Sequence, residues 1–562
     1  MDAEYAASES TAAASQNLAE PHSPKMHTGT GQDGRPRERL SISEGDEDDQ
    51  ATLSNAARVM ITIALGMAIL VAGLDATIVG TLAPTLADEF NAVGSVGWYD
   101  LLVNGATQPS MGKLYVNFKP KVVLLCSIGL LELGSLICAV AHDAPTFIGG
   151  RAVAGLGCSG IAAGALIITG SITPLSQRPM YMGILGALES IAIILGPILG
   201  GAITGSIGWR WCFWINLPIG IVFSTALLLF FESPKSMTKN AKSTLLEKIG
   251  QVDIIGGIGI AGSLSCLFLA LEWAGSKYAW NSPAIIALFV VFVVSFTLVG
   301  IHQNWRGEAA TFPVRLFKNK AFVGYLFMAF CLASSQFVTC YYLPTWFQTV
   351  QGVSPAHSGV QLLPLLLAVI VGAVLGGAGS AITGYVPPFL MLATILGSIG
   401  AGLLHTLTPG IARSRWIGYE ILLGLGTGMG GQQAIVGIQA AAGPSDVAYA
   451  SSAVLLMNML GGSIFICVGQ NLFLQEMARV AHQLKSIDKE TLMSGFGNIK
   501  DKLSPEEIKI AVQGYNDGTT HVFTLVLVLC CLSSLAWPLL KWNSIKGKKE
   551  TTIEDAEKES LP

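Results

Sequence analysis

RVMITIALGMAILVAGLDATIVG, residues 58–80, holds a single acid, Asp75, in a run long enough to cross a bilayer. A hydrocarbon core needs about 20 apolar residues in a helix. Working outward, runs of this kind recur at 96–116, 121–141, 147–170, 180–203, 211–232, 252–273, 283–303, 321–343, 358–379, 386–407, 416–437, 446–470 and 519–541. The whole chain is 51% hydrophobic and 12% charged, whereas soluble domains run at about 25% charged. The sequence therefore predicts an all-α membrane protein of fourteen spans. Net charge is −4, and no basic surplus points to nucleic acid.

The flanks are of a different kind. Residues 1–57 and 542–562 are too polar to bury a core and read as tails. Twelve Lys and Arg fall in the loops on the tails' side and four in the short loops opposite. By the positive-inside rule both tails are cytoplasmic. The loop 471–518 is then outside, where Ser504-Pro505-Glu506-Glu507 reads as the start of a short surface helix. That loop has no Asn-x-Ser/Thr sequon, so no glycan is expected. The ten cysteines lie in apolar segments without CxxC or Cys/His spacing, so neither a disulfide framework nor a metal site is expected.

One repeat organises the spans. Arg151-Ala-Val-Ala-Gly155-Leu156-Gly157 in the fourth matches Glu420-Ile-Leu-Leu-Gly424-Leu425-Gly426 in the twelfth. Spans 1–6 (58–232) and 9–14 (321–541) become equivalent halves, and 233–320 holds a loop and an inserted helix pair, a 6 + 2 + 6 arrangement. The glycine runs after Gly155 and Gly426 also fit GxGxxG, but they lack the strand that a dinucleotide site requires. Close helix packing explains them better. No ATP-binding loop, HExxH or GxSxG occurs. The chain is read as no enzyme, with no cofactor and no ATP, so any pumping would draw on an ion gradient.

Ionisable residues within spans are costly and mark function by default. Asp75 and Arg151 are the deepest. A carboxylate exposed alternately to a dry setting and to an arginine can carry a proton; the same two residues could equally be static posts holding helices together. Glu132 and Glu272 read as static. In the fifth span Gly186, Gly196, Pro197, Gly200 and Gly201 surround Glu189, suiting a hinge or seal between the halves. Trp209-Arg210-Trp211-Cys-Phe213-Trp214 reads as an interfacial anchor. Gln336, Tyr341, Tyr342, Gln432, Gln433 and Asn458 offer aromatic walls and amides for a bulky apolar ligand. Segment 96–116 is the weak span, with Asp100, Asn104, Gln108 and Pro109.

Four of these stretches together resemble the major facilitator superfamily, in its fourteen-span drug/proton antiporter branch, and fungal toxin efflux pumps in particular. They are Leu74-Asp75-Ala-Thr77-Ile78-Val79 through Pro84; Gly150-Arg151 with Gly155 and Gly157; Gly186 through Gly196-Pro197-Ile-Leu-Gly200-Gly201; and Trp209-Arg210-Trp211 followed by Ile215-Asn216-Leu217-Pro218-Ile219-Gly220. The resemblance implies a monomeric, proton-coupled exporter of small hydrophobic molecules in the plasma membrane, or a vacuolar or vesicle membrane, with Arg151 in proton coupling. Two departures stand out. Val116 sits where the branch carries an Asp after Gly112-Lys113-Leu114, and Trp98 to Gly112 is several residues short. They leave open a sensor or scaffold that binds without transporting.

Overall fold

The computed structural model describes residues 55–90, 98–231, 253–275, 277–484 and 504–546. The expectations for the tails and for the loop after 232 lie almost wholly outside them.

Among the described residues fourteen long helices follow one another: α1 Asn55–Phe90, α2 Trp98–Asn117, α3 Pro120–Ala139, α4 Ala144–Ile172, α5 Arg178–Ser206, α6 Asn216–Phe230 after a turn Trp211–Trp214, α7 Ile254–Trp273, α8 Pro283–Arg306, α9 Lys320–Val350, α10 Leu363–Thr383, α11 Pro387–His405, α12 Arg413–Ala442, α13 Val447–Gln483 and α14 Pro505–Ser533. Thirteen spans among the described residues are long and apolar enough to cross a membrane. The exception is α2, as its polar side chains predict, yet it is a continuous helix of 20 residues. Odd-numbered helices run from the face that holds Asn55 and Lys546, here the tail face, to the far face.

Local chemistry sets the starts. Asp143 caps α4 at the Thr146 amide, Asp253 caps α7 at Gly256, and Ser282 caps α8 at Ile285. Such caps satisfy amides that the first turn leaves without partners. Ser504 and Glu507 form a reciprocal capping box. The helix they start is not a short surface piece: it runs unbroken into the last span. At the other end of the 471–518 segment, α13 continues to Gln483. Met477, Val480 and Leu484 pack on Ala511 and Tyr515, so burial replaces much of the expected loop with two helical extensions.

The repeat is visible in the packing. A Cβ on Gly134 of α3 would strike the backbone of Ala154 in α4, and one on Gly157 would strike Leu131. In the second half Gly400 of α11 meets Leu423 of α12, and Gly426 meets Gly397. The same notches thus join α3 to α4 and α11 to α12, and Arg151 and Glu420 occupy matching places. The inserted helix α7 leans on α2, where Gly105 meets the Phe268 ring, and on α13, where Cys467 donates to the Leu271 carbonyl at 3.3 Å. Helix α8 packs on α7, and its buried residues are Ile285 and Gln303.

Candidate functional site

Asp75 and Arg151 form an ion pair at 2.6 Å, both side chains 0% exposed. Two buried charges are tolerated when they are paired and their remaining hydrogen-bonding capacity is met. Here α6 supplies Asn216, whose amide donates to Asp75 Oδ1 at 2.8 Å, and α3 supplies Ser135, donating at 3.3 Å. Asn216 also donates to Ser135 at 3.1 Å. Arg151 lies 5.8 Å from the Phe213 ring centroid, a cation–π arrangement. Four helices, α1, α3, α4 and α6, therefore meet at one carboxylate. In the sequence Asn216 stood out only as part of the Ile215–Gly220 motif and Ser135 not at all, though each is a polar residue inside an apolar span.

The Trp209–Trp214 cluster does more than anchor an interface. Trp209 and Phe213 are buried edge-on against Phe147. Arg210 pairs with Glu89 at 3.0 Å and donates to the Ala141 carbonyl. It ties the far end of α1 to the loop between α3 and α4. Trp211 alone of Trp209 and Trp211 faces outward, at 54% exposure.

At the tail face the two halves touch. Gly377 of α10 lies where a Cβ would stand 2.5 Å from the Pro179 carbonyl oxygen of α5. Gly183 is against the Ala373 carbonyl, and Gly186 against the Gln432 amide. Gly112 of α2 meets Ser452 of α13, and Gln439 donates to the Leu166 carbonyl at 3.3 Å. Lys113 donates to the Ala310 carbonyl at 3.0 Å and to the Tyr449 hydroxyl at 3.3 Å. Arg315 grips Asp446 through two hydrogen bonds of 2.8 and 2.9 Å and also holds Glu308; these carboxylates push its pKa up. Val116, in the place of the absent carboxylate, is buried in the apolar core. Lys113 and Arg315 close this face by other contacts.

The motif expected to seal the halves is divided. Gly186 reaches α12, whereas Gly196 abuts Thr77 of α1 within its own half. Gly200 is buried and accepts a weak contact from Cys212, while Pro197 and Gly201 are exposed. The close approach needs bare backbone, and at the seam that lies at Gly183 and Gly186, nearer the tail face. Glu189 is exposed, yet it shares a helical face with Gly186 and Ile193, which both pack on the second half. It therefore faces the gap between the halves.

One turn below Glu189, amides gather. α2 and α13 pair so that Gly112 meets Ser452 and Gly105 meets Met459; α12 and α13 pair so that Gln439 donates to Ser451. That register puts Asn104, Gln108, Gln432 and Asn458 near one level. Each has an amide oxygen buried without a hydrogen-bond partner. The other ligand candidates lie elsewhere. Tyr342 is buried, donating to the Ile466 carbonyl and to Gln470; Tyr341 is 45% exposed. Gln336 is half-buried. Gln433 is buried against Gly376, inside its own half. Asn104 and Gln108, which weakened α2 in the sequence, belong to the amide layer.

A twofold helical repeat, halves in close contact at the tail face, a polar layer between them and a buried ion pair inside the first half are the build of a membrane transporter. The profile of the Major Facilitator Superfamily matches residues 65–466, and the chain belongs to that family. It is similar to the efflux pump apf11 of Gibberella fujikuroi, 53% identical over 88% of this chain and 90% of the relative. The MFS-type transporter TOXA of Cochliobolus carbonum is 46% identical over 87% and 90% of the two chains. The efflux pump roqT of Penicillium rubens is 38% identical over 90% and 96%. Among solved structures, the proton:xylose symporter XylE shares the fold at a TM-score of 0.55, 14% identical over 88% of this chain and 98% of the other. The human organic anion transporter MFSD10 shares it at 0.53, 11% identical over 84% and 99%.

Proposed function

We propose that this protein is a proton-coupled exporter of small hydrophobic molecules, a toxin or secondary-metabolite efflux pump of the plasma membrane that works as a monomer with both tails in the cytoplasm. The Asp75–Arg151 pair carries the reading, since a buried carboxylate with a single cationic partner gains or loses that partner on taking a proton. The relatives named as efflux pumps support export. A proton arriving from the far side joins Asp75, frees Arg151 and Asn216 to rearrange, and leaves toward the cytoplasm. The amide layer and Glu189 offer hydrogen bonds to polar atoms of an otherwise apolar substrate. With the halves in contact at the tail face, this conformation bars the cytoplasmic side, and opening the α5–α10 seam admits the next molecule.

The test uses proteoliposomes loaded with Nile red, a hydrophobic dye, under an imposed pH gradient. Dye flux driven by the gradient and lost in Asp75→Asn supports the reading. Flux that ignores collapse of the gradient refutes antiport. Compounds that build up in cells lacking the gene identify the natural substrate.

A further inference from the structure

Glu132 of α3 is half-buried, and both of its carboxylate oxygens are shielded without a hydrogen-bond partner. Asp75 nearby has three side-chain donors. Buried polar groups are almost always bonded, and each exception calls for a cause. The placement of Glu132 supplies one. It precedes Ser135 by three residues on a helix running from the tail face to the far face. Against it lies Gly220 of α6, where a Cβ would collide with Glu132 Oε1. Gly220 follows Asn216 by four residues on a helix running the other way. Both registers put Glu132 one helical turn, about 5.4 Å, on the tail side of the Asp75 cluster. Asp75 is its electrostatic partner, with Arg151 behind it. Span α6 offers no acid, Lys, Arg or His on that side.

We infer that Glu132 is a relay residue that passes the proton between the Asp75–Arg151 pair and the tail side of the membrane. This rests on the proton-coupled reading above. In the transfer, the O–H bond of protonated Asp75 breaks and one forms on a Glu132 oxygen; Asp75 regains Arg151, and Glu132 then yields the proton to water at the tail side. Unbonded oxygens suit this role, because no donor must be displaced before a proton is accepted. Gly220 provides the space in which the carboxyl can turn.

Two measurements test it on the full chain. Infrared difference spectra of the reconstituted protein across a pH titration should show a protonated-carboxyl band that is lost in Glu132→Gln and shifted in Asp75→Asn. A Glu132 band that never changes with pH, or is indifferent to Asp75→Asn, overturns the inference, and this arm needs no substrate. In proteoliposomes, Glu132→Gln should slow gradient-driven Nile red flux by about tenfold or more, while dye exchange at equal pH persists and Glu132→Asp recovers part of the flux. Gly220→Ala, which displaces the carboxyl without removing it, should slow gradient-driven flux in the same way. Gradient-driven flux at the wild-type rate in Glu132→Gln overturns the relay. Wild-type flux indifferent to pH overturns the antiport reading instead, and the infrared result then stands or falls by itself.

Discussion

Replacing Gly377 by Ala tests the closed seam at its tightest backbone contact. The added Cβ would sit 2.5 Å from the Pro179 carbonyl oxygen. Ordinary carbon–oxygen contacts fall near 3.3–3.6 Å, so α5 and α10 must separate by about 1 Å. The obstacle is backbone, so no side chain can rotate away. Overpacking of this kind costs about 1–3 kcal/mol. The cost falls on the conformation with a closed tail face, because the open one lacks this contact. A bias of that size moves the equilibrium between the two by a factor of about 5–150. Spin labels at exposed positions 177 and 383, flanking the seam, read the separation directly. The longer-distance population should grow in Gly377→Ala, and dye release should slow. Gly129→Ala, where a Cβ meets nothing within 4 Å, should change neither. Wild-type distances and flux in Gly377→Ala would show that the seam is not the gate.

Removing Arg151 as Ala leaves Asp75 buried without its cation; thermal unfolding should show a loss of about 3–5 kcal/mol, larger than for Asp75→Asn. Arg315→Lys keeps the charge but gives up the two-point grip on Asp446. Arg315 is 43% exposed, so the cost is held to about 1 kcal/mol, seen as a modest gain in the open population by the same labels. Asp253 accepts from Gly256, His302, Gln303 and Thr311, and these bonds lower its pKa against the effect of burial. A depressed folded pKa stabilises above the unfolded value and fades as pH falls through the folded one. The tie of the α7–α8 pair to the loop at Thr311 should therefore weaken only below about pH 4. Asp253→Ala should abolish that dependence, measured as proteolysis of the loop against pH.

Much of this architecture was legible because apolar length and the Arg151/Glu420 repeat are local patterns, and each corresponds to one physical demand: a bilayer to cross, or a backbone to approach. The Asp75–Arg151 pair was legible for a related reason, since isolated charges in spans must meet. Asn216 and Ser135 were harder, because an amide and a hydroxyl are cheap in a span and nothing local distinguishes a ligand from a bystander. The helical extensions of α13 and α14 were hidden because their burial is mutual: Val480 of one packs against Gly514, Ala511 and Tyr515 of the other. The seam was placed too near Gly196-Pro197, since sequence shows where backbone is bare but not which neighbour fills the notch.

Helix α8 carries a mechanical consequence. Its apolar run, residues 283–301, is about 28 Å long at 1.5 Å per residue, close to a hydrocarbon thickness of about 30 Å. Nearly every side it presents is greasy and open to lipid, with Val290, Val294, Leu298 and Ile301 all at least half exposed. Such a rod accommodates a thinner bilayer by leaning. Its tail end is fastened at His302 and Gln303 to the Asp253 knot, a few residues from the carbonyls that hold Lys113. Membrane thickness thus acts on this protein through a lever, with lipid on the long arm and the latch of the tail face on the short one.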